Sequence, residues 1–183
     1  LGATRVTVPE FYRDKPVTTI LDNAFYNLST LEQIMIPATI RTIGVGAIPN
    51  YEALKHIEVY TDTVQQNYEP IYTSSEGALI RYDMGEVYLE LFPRGKTGEY
   101  IIPDDVTVLR DNVFRYAQIT KLTIGIGVHT ISRRAFYSCQ KLKTVEFAGK
   151  GTNDLKIDAE AFYRTSNVTT LRLPARLTEM DLQ

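Results

Sequence analysis

The chain has 183 residues, of which 44% are hydrophobic and 23% charged, and its formal net charge is −2. These values fit a globular domain and exclude a disordered or collagen-like chain. One cysteine excludes a disulfide framework and a multi-cysteine zinc site, and two histidines leave little for a histidine-rich metal site. No apolar run approaches the ~18 residues of a membrane-spanning helix. Because the chain starts at Leu1 without an initiator methionine or signal peptide, we expect a piece of a longer, processed protein.

The hydrophobic residues repeat along the chain with a period of about 23 residues. Two windows, beginning at Leu31 and Ile119, carry apolar residues at seven identical offsets, and such self-similarity indicates a repeat architecture. Four other segments fit the same template, L-x-x-I-x-I-P-x-x-V-x-x-I-x-x-x-A-F. The predicted units, within a single domain of residues 1–183, are 3–30, 31–53, 54–118, 119–141, 142–167 and a partial 168–183.

The spacing within a unit predicts one coil of a stacked solenoid. Apolar residues two positions apart, such as Ile34 and Ile36, share one face of a short strand. The proline that follows ends the strand because it donates no ladder hydrogen bond. The Ala-Phe pair then predicts a short helical or 3₁₀ turn, with N-cap residues at Asp22-Asn23 and Asp111-Asn112. One such coil buries too little apolar surface to be stable alone, so the coils must stack.

Two runs of the template resemble a known family. They are Ile34-x-Ile36-Pro37-x-x-Ile40-x-x-Ile43-Gly44 and Ile131-x-x-x-Ala135-Phe136-Tyr137-Ser138-Cys139. Both are similar to the unit of the BspA-like leucine-rich repeat family, and the similarity extends over nearly the whole chain. The chain departs from that unit at Ile48, which replaces Phe, and at Gly125 and Ala148, which replace Pro.

The resemblance implies both a fold and a function. The fold is a β-rich leucine-rich-repeat solenoid of right-handed coils, with short parallel strands and short helical or 3₁₀ turns, interrupted by an inserted β-hairpin. The function is that of a non-enzymatic, extracellular or cell-surface bacterial protein that mediates adhesion or protein–protein interaction.

The period is broken once, and we predict an insertion at residues 61–102. Residues 78–82 and 87–92 alternate like strands, residues 83–86 read as a hairpin turn, and residues 93–98 read as a loop. This hairpin is expected to pack on the solenoid. Tyr60, Tyr68, Tyr72, Tyr82, Tyr88 and Tyr100 lie in or beside the insertion. Their abundance indicates either a recognition surface or ordinary packing of strand residues.

No pattern in the chain indicates catalysis, a cofactor or a metal. The pairs Gly44/Gly46 and Gly125/Gly127 lack the third glycine of a dinucleotide-binding motif and fall where the repeat needs a turn. His56 and His129 are expected at the surface. Cys139 falls at a mostly apolar position of the repeat, so we expect a buried, unreactive thiol.

The outward strand positions vary from unit to unit, and they are the candidate partner contacts. Residues 1–113 carry a net charge of −7 and residues 114–183 a net charge of +5. The basic half either meets an acidic partner or glycan or is simply solvated. A nucleic-acid partner is disfavoured, which leaves another protein, or alternatively a carbohydrate or the scaffold of a larger surface assembly. The candidate contacts are Met35, His56, Glu58, Lys121, Thr123, Glu146 and Arg172 on the strands, with Tyr72, Tyr82 and Tyr88 on the hairpin.

Overall fold

The apolar periodicity produces a stack of β-coils. The computed structural model describes residues 2–61, 69–151 and 153–180, which form a β-solenoid of about 7 turns. In chain order the strands are β1 (Arg5–Thr7), β2 (Phe11–Tyr12), β3 (Lys15–Pro16), β4 (Thr19–Ile20), β5 (Gln33–Pro37), β6 (Thr42–Ile43), β7 (His56–Tyr60), β8 (Tyr72–Ser75), β9 (Ala78–Asp83), β10 (Glu86–Leu91), β11 (Thr97–Ile101), β12 (Val108–Leu109), β13 (Gln118–Ile124), β14 (Thr130–Ile131), β15 (Thr144–Phe147), β16 (Leu155–Ile157), β17 (Thr170–Leu171) and β18 (Leu177–Met180).

Each coil contributes strands to two faces. The first face consists of two parallel sheets, β1-β5-β7 and β11-β13-β15-β17. The second face consists of the pair β4-β6 and of a seven-stranded sheet in the order β18-β16-β14-β12-β10-β9-β8. β2 and β3 form a separate two-stranded hairpin, which accommodates the extra residues of the first unit.

The inward residues pack as the template predicts. Ile34, Ile36, Leu122 and Ile124 are fully buried, and full burial of such a side chain contributes about 1.5–3 kcal/mol. The phenylalanines of successive coils stack in a column. Their ring centroids lie 4.7 Å apart for Phe92–Phe114, 5.4 Å for Phe114–Phe136 and 4.8 Å for Phe136–Phe162. Phe25 packs in a different hydrophobic cluster.

The segments between the second and first faces form what we call the turn edge, residues 22–28, 111–117, 133–139 and 159–165. Their N–H groups alternate between two kinds of acceptor. Val113 donates to the Arg110 carbonyl within its own turn, whereas Phe114 donates to the Ala135 carbonyl of the next coil. Left-handed residues, such as Asn112 at φ 60° and Tyr116 at φ 60°, recur in this edge.

The prediction of short helical or 3₁₀ turns at this edge is therefore wrong. A left-handed residue every fourth position is incompatible with a right-handed helical turn, and asparagine suits a left-handed position as well as an N-cap. The part of the chain that the structure describes includes no helix that could cross a membrane.

The insertion is shorter than residues 61–102. Strand β11 pairs in parallel with β13 and continues the first face, and Phe92 precedes Phe114 by the same 22 residues that separate Phe114 from Phe136. The predicted unit 54–118 is thus two coils, and residues 95–118 form a regular one. Polar Thr97 and Glu99 masked its first strand in the sequence.

The remaining insertion is a three-stranded antiparallel meander, β8-β9-β10. The predicted strands and the hairpin turn at residues 83–86 are confirmed, with Met84 at φ 49° and Gly85 at φ 86°, the pattern of a type I′ turn. Strand β8 was not predicted.

The meander separates two hydrophobic cores. On β9, Leu79 packs with the residues of the N-terminal coils, whereas Ala78 and Ile80 pack with those of the C-terminal coils. Because successive strand residues point to opposite sides, one strand serves both cores. The hairpin is therefore an internal wall rather than an addition packed on the outside.

Candidate partner-binding surface

The first face places its outward candidates in register. Met35 on β5 lies beside Glu58 on β7, and Thr123 on β13 lies beside Glu146 on β15. Because the strands are parallel and unshifted at these positions, equivalent residues of neighbouring coils form rows across the face. All four side chains are partly exposed.

The C-terminal half of this face is an ion-pair network centred on Glu146. Lys121 Nζ lies 2.6 Å from Glu146 Oε1, and Arg172 Nη1 lies 3.3 Å from Glu146 Oε2. The hydrogen bond from Lys121, together with the two positive charges, lowers the pKa of the Glu146 carboxyl. The same pair raises the pKa of Lys121. Arg172, with 73% of its side chain exposed, is the part of the network most available to a partner.

The N-terminal half of the face is less strongly paired. His56 Nε2 lies 3.9 Å from Glu58 Oε2, and Gln33 Nε2 donates to the same oxygen at 3.5 Å. Arg5 contacts the Met35 sulfur at 3.0 Å. With over 40% of their side chains exposed, His56 and Glu58 keep most of their hydrogen-bonding capacity for solvent or a partner.

A turn of the meander lies where the two sheets of the first face are interrupted. The N–H of Ile57 on β7 donates to the carbonyl of Gly77. Gly77 has φ +85°, and a Cβ there would lie 2.7 Å from His56 Nδ1. Only glycine fits this close approach. Because the turn lies between the two sheets of the first face, the strand candidates form two patches, one on each side of it.

The candidate tyrosines of the insertion have three different environments. Tyr82 is 39% exposed and its hydroxyl donates to Asp105 Oδ2 at 3.1 Å. Tyr88 is partly buried, and the Arg81 guanidinium carbon lies 4.3 Å from its ring centroid. Tyr72 is only 7% exposed.

The prediction of Tyr72 as a partner contact is therefore wrong. Its ring fills the N-terminal core, its hydroxyl hydrogen-bonds the backbone of Ile43, and burial raises its pKa. Strand β8, which orients Tyr72 towards the core, was not predicted. Tyr68 lies outside the described residues.

The thiol of Cys139 is buried, as predicted. The residue is fully inaccessible, its Sγ donates to the Phe114 carbonyl at 2.9 Å, and burial raises its pKa to about 12. Since the thiolate is the reactive species, this cysteine is chemically inert in the folded protein.

The Gly-x-Gly pairs lie at turns, as predicted, and they also allow neighbouring coils to approach closely. A Cβ at Gly125 would lie 2.5 Å from the Pro103 carbonyl oxygen, and one at Gly127 would lie 2.3 Å from that of Asp104. His129 lies at the surface and pairs with Glu86 at 3.0 Å. In the described ranges, no three His, Cys, Asp or Glu residues are grouped so that they could hold a metal ion.

Two surface depressions among the described residues were compared with the needs of catalysis. One of about 300 Å³ lies beside Tyr82 and Met84, and another of about 310 Å³ lies between Ile43 and Arg110. The second is lined by Glu90, whose carboxylate is already paired with Arg81 and Arg110. Neither brings a nucleophile next to a general base.

An exposed cluster on the turn edge was not predicted from the sequence. Tyr116, Tyr137 and Tyr163 form a row with ring centroids 5.6 Å and 5.8 Å apart, interleaved with arginines. A signal for part of it was present, because tyrosine directly follows the repeat phenylalanine in Phe136-Tyr137 and Phe162-Tyr163.

Comparisons with known proteins agree with this architecture. The model of the BspA type leucine-rich repeat region matches in six copies over residues 5–77 and 87–183. No curated protein matches the chain.

Several solved structures share the fold. A leucine-rich cell surface protein from Faecalibacterium prausnitzii aligns over 97% of this chain and 49% of its own, at 21% identity and a TM-score of 0.67. A leucine-rich repeat protein from Eubacterium ventriosum aligns over 92% and 55%, at 25% identity and a TM-score of 0.53. The pneumococcal vaccine antigen PcpA aligns over 82% and 44%, at 23% identity and a TM-score of 0.53.

The chain thus spans about half the length of these structures. The family model, by contrast, covers nearly all of the chain. The chain belongs to the BspA-type leucine-rich repeat family.

Proposed function

We propose that this chain is a non-enzymatic binding module of a bacterial cell-surface or secreted protein, and that it recognises another protein through its first face. The family supports a protein-binding scaffold. The cell surface protein and the vaccine antigen among the structural neighbours support a surface location.

One observation carries the proposal. The residues that recur from coil to coil point inward and are buried, whereas the outward residues of the first face differ between coils and remain accessible. A solenoid separates packing from recognition in this way, so it can vary one without disturbing the other.

The proposed contacts lie in the two patches of the first face. Glu58, with His56 and Met35, forms the N-terminal patch, and Arg172 is the most exposed charge of the C-terminal one. Lys121, Thr123 and Glu146 complete the second patch. Tyr82 and Tyr88 lie on β9 and β10 of the second face, where we propose them as additional contacts.

A cell-adhesion experiment tests this function. Beads coated with the chain are incubated with intact epithelial cells that are untreated, trypsin-treated or glycosidase-treated. We expect binding to untreated cells, its loss after trypsin, and its survival after glycosidases. The double variant Glu58→Lys with Arg172→Glu should bind weakly, because rim charges control encounter with a partner.

A matched control changes the same number of charges on the second face. In Lys156→Glu with Glu179→Lys the two charges are exchanged, so the attraction between these positions is kept, while the ion pair of Lys156 with Asp158 is lost. This variant should bind like the wild type, with unchanged circular dichroism in both variants. Adhesion that is absent, resists trypsin, or falls equally in both variants contradicts the proposal.

A further inference from the structure

A strip of aromatic and cationic side chains runs along the turn edge of the C-terminal coils. Successive coils each supply one ring, so that Tyr116, Tyr137 and Tyr163 follow one another at 5.6 Å and 5.8 Å between centroids. Tyr163 is 42% exposed and the other two are partly exposed. The spacing reflects the stacking of coils rather than the chance meeting of loops.

Arginines lie over these rings. Arg94 is 4.6 Å from the Tyr116 centroid, and Arg115 is 4.9 Å from that ring and 5.1 Å from Tyr137. Arg164 lies 5.5 Å from the Tyr163 centroid. Such distances are those of cation–π contacts, which favour one side of the ring for each guanidinium. We call these six residues the tyrosine–arginine edge.

The positive charge of this edge is only partly neutralised. Arg94 pairs with Glu52 at 2.9 Å, and the flanking Arg133 and Arg134 share Glu160 at 3.1 Å and 2.5 Å. Within the described residues, Arg115 and Arg164 have no carboxylate partner. Both side chains belong to exposed residues, so two pre-oriented guanidiniums face solvent.

The chemistry of these groups selects an oxyanion. Arg115 donates one N–H to the Tyr116 hydroxyl at 3.3 Å, and Arg164 donates one to the Tyr137 hydroxyl at 3.4 Å. A guanidinium has five N–H donors, and its remaining ones match carboxylate or sulfate oxygens in bidentate geometry. Immobilisation by the rings reduces the conformational entropy lost on binding. A row of such groups, one coil apart, suits a ligand that carries anions at regular intervals.

We propose that the tyrosine–arginine edge binds a linear acidic polysaccharide bearing carboxylate or sulfate groups. Tyrosine and arginine also anchor protein interfaces, so an acidic polypeptide is the alternative occupant that an experiment must exclude. Beside it, exposed Gln140 and Asn167 spend amide N–H groups on the carbonyls of Arg164 and Gln140. Amide oxygens, such as those of these two side chains, are acceptors of the kind that sugar hydroxyls need.

This binding does not depend on the protein-binding function proposed above. The tyrosine–arginine edge lies on the turns, whereas Glu58 and Arg172 lie on the first face. The first-face variant should therefore keep its affinity for the polysaccharide, so each proposal can fail without the other.

Direct titration tests the inference. The chain is titrated with dextran sulfate and with polygalacturonate in physiological salt, and with neutral dextran and poly-glutamate as comparison polymers. We expect both acidic polysaccharides to bind more tightly than poly-glutamate, and neutral dextran not to bind. In Arg115→Gln with Arg164→Gln, the Kd for dextran sulfate should rise at least about tenfold. The slope of log Kd against log salt should fall by about one per removed charge.

The control variant removes two positive charges elsewhere. Lys156→Gln with Arg172→Gln leaves the tyrosine–arginine edge intact and should change the Kd by less than about threefold, because distant charges contribute only through the screened long-range field. Equal losses of affinity for dextran sulfate in the two variants would show that net charge alone accounts for binding, which would contradict a site at the tyrosine–arginine edge. Preference for poly-glutamate would assign the edge to an acidic protein, and binding of neutral dextran would remove the role of the anions; either result overturns the proposal.

Discussion

The two halves of the solenoid are built from the same kind of coil, but the C-terminal half has more strands and a continuous column of phenylalanine rings. In the C-terminal coils the first face has four strands, and Phe92, Phe114, Phe136 and Phe162 stack without interruption. In the N-terminal coils the first face has three strands, the second face has two, and Phe25 is only partly buried. Ile48 stands where the next phenylalanine would be.

The difference shows in what each half leaves exposed. Leu21 and Val45, on N-terminal turns, are 72% and 82% exposed. In a repeat protein, stability is approximately a sum of coil and neighbour terms, so a half with fewer strands and a broken column is the weaker one. The meander matters because it supplies a packing surface to both halves.

The largest expected effect comes from breaking the column. Phe136 is fully buried between two other rings, and Phe136→Ala should lower the free energy of unfolding by about 3–5 kcal/mol. Phe25→Ala should cost less than half as much, because Phe25 keeps contact with solvent. Urea denaturation of both variants measures the difference. Equal losses would show that the two halves are equally well packed.

Substitutions at neighbouring residues of β9 should destabilise different cores, because these residues lie on opposite sides of the meander. Leu79→Ala should remove about 2–5 kcal/mol of packing from the N-terminal core, and Ile80→Ala a similar amount from the C-terminal core. Native-state hydrogen exchange locates the damage by amide.

The two exchange patterns should differ although the residues are neighbours. Leu79→Ala should speed exchange at Ile34 and Ile36, and Ile80→Ala at Leu109 and Leu122. One common pattern for both variants would contradict a wall between two cores and indicate a single cooperative unit.

The sequence predicted the structure best at positions where the residue type is compatible only with close packing between coils. The period, the burial of Cys139 and the glycine contacts at Gly125 and Gly127 all follow from coils that must pack closely. The hairpin turn at Met84-Gly85 was predictable because a short segment with a glycine lies between two runs that alternate like strands.

The sequence predicted the structure least well where a residue type fits two backbone conformations. Asn112 suits an N-cap and a left-handed turn equally well, and only the neighbouring coil decides between them through its carbonyls. Glu76-Gly77, at φ 47° and 85°, forms a second two-residue turn of the same kind. Because it was not recognised, β8 was missed and Tyr72 was assigned to the surface. The candidate contacts of the first face stay predictions, since exposure alone does not identify a partner.

A smaller effect, of opposite sign, is expected at Tyr100 in the C-terminal core. Its ring packs 4.8 Å from Phe92, and its buried hydroxyl has no hydrogen-bond partner among the described residues. Tyr100→Phe keeps the ring and removes the unsatisfied group, so the free energy of unfolding should rise by about 1 kcal/mol. The control in the N-terminal core is Tyr72→Phe, which loses a hydrogen bond to the Ile43 backbone and should be destabilising. A loss of stability in Tyr100→Phe would contradict the unsatisfied hydroxyl.

The smallest effect concerns acid stability where the meander meets the C-terminal coils. Glu86 accepts hydrogen bonds from the Thr107 hydroxyl at 2.5 Å and from His129 at 3.0 Å. These bonds, the one from Thr107 first, lower the pKa of the Glu86 carboxyl despite some desolvation. A depressed folded-state pKa means that the stabilisation is present above the unfolded value of about 4.3 and disappears as the pH falls through the folded value.

The difference in unfolding free energy between the wild type and Glu86→Gln measures this contribution. The variant should be less stable than the wild type by at most ~0.5 kcal/mol at pH 5.5, since 38% of the Glu86 side chain is exposed and solvent screens such pairs. At pH 3 the two proteins should converge, while the acid response of Glu146 and Glu160 is common to both and cancels. Urea titrations of both proteins at the two pH values measure the gap. A gap that stays constant would mean that Glu86 stabilises the junction by packing alone, which would make the wall's contact with the C-terminal coils insensitive to pH.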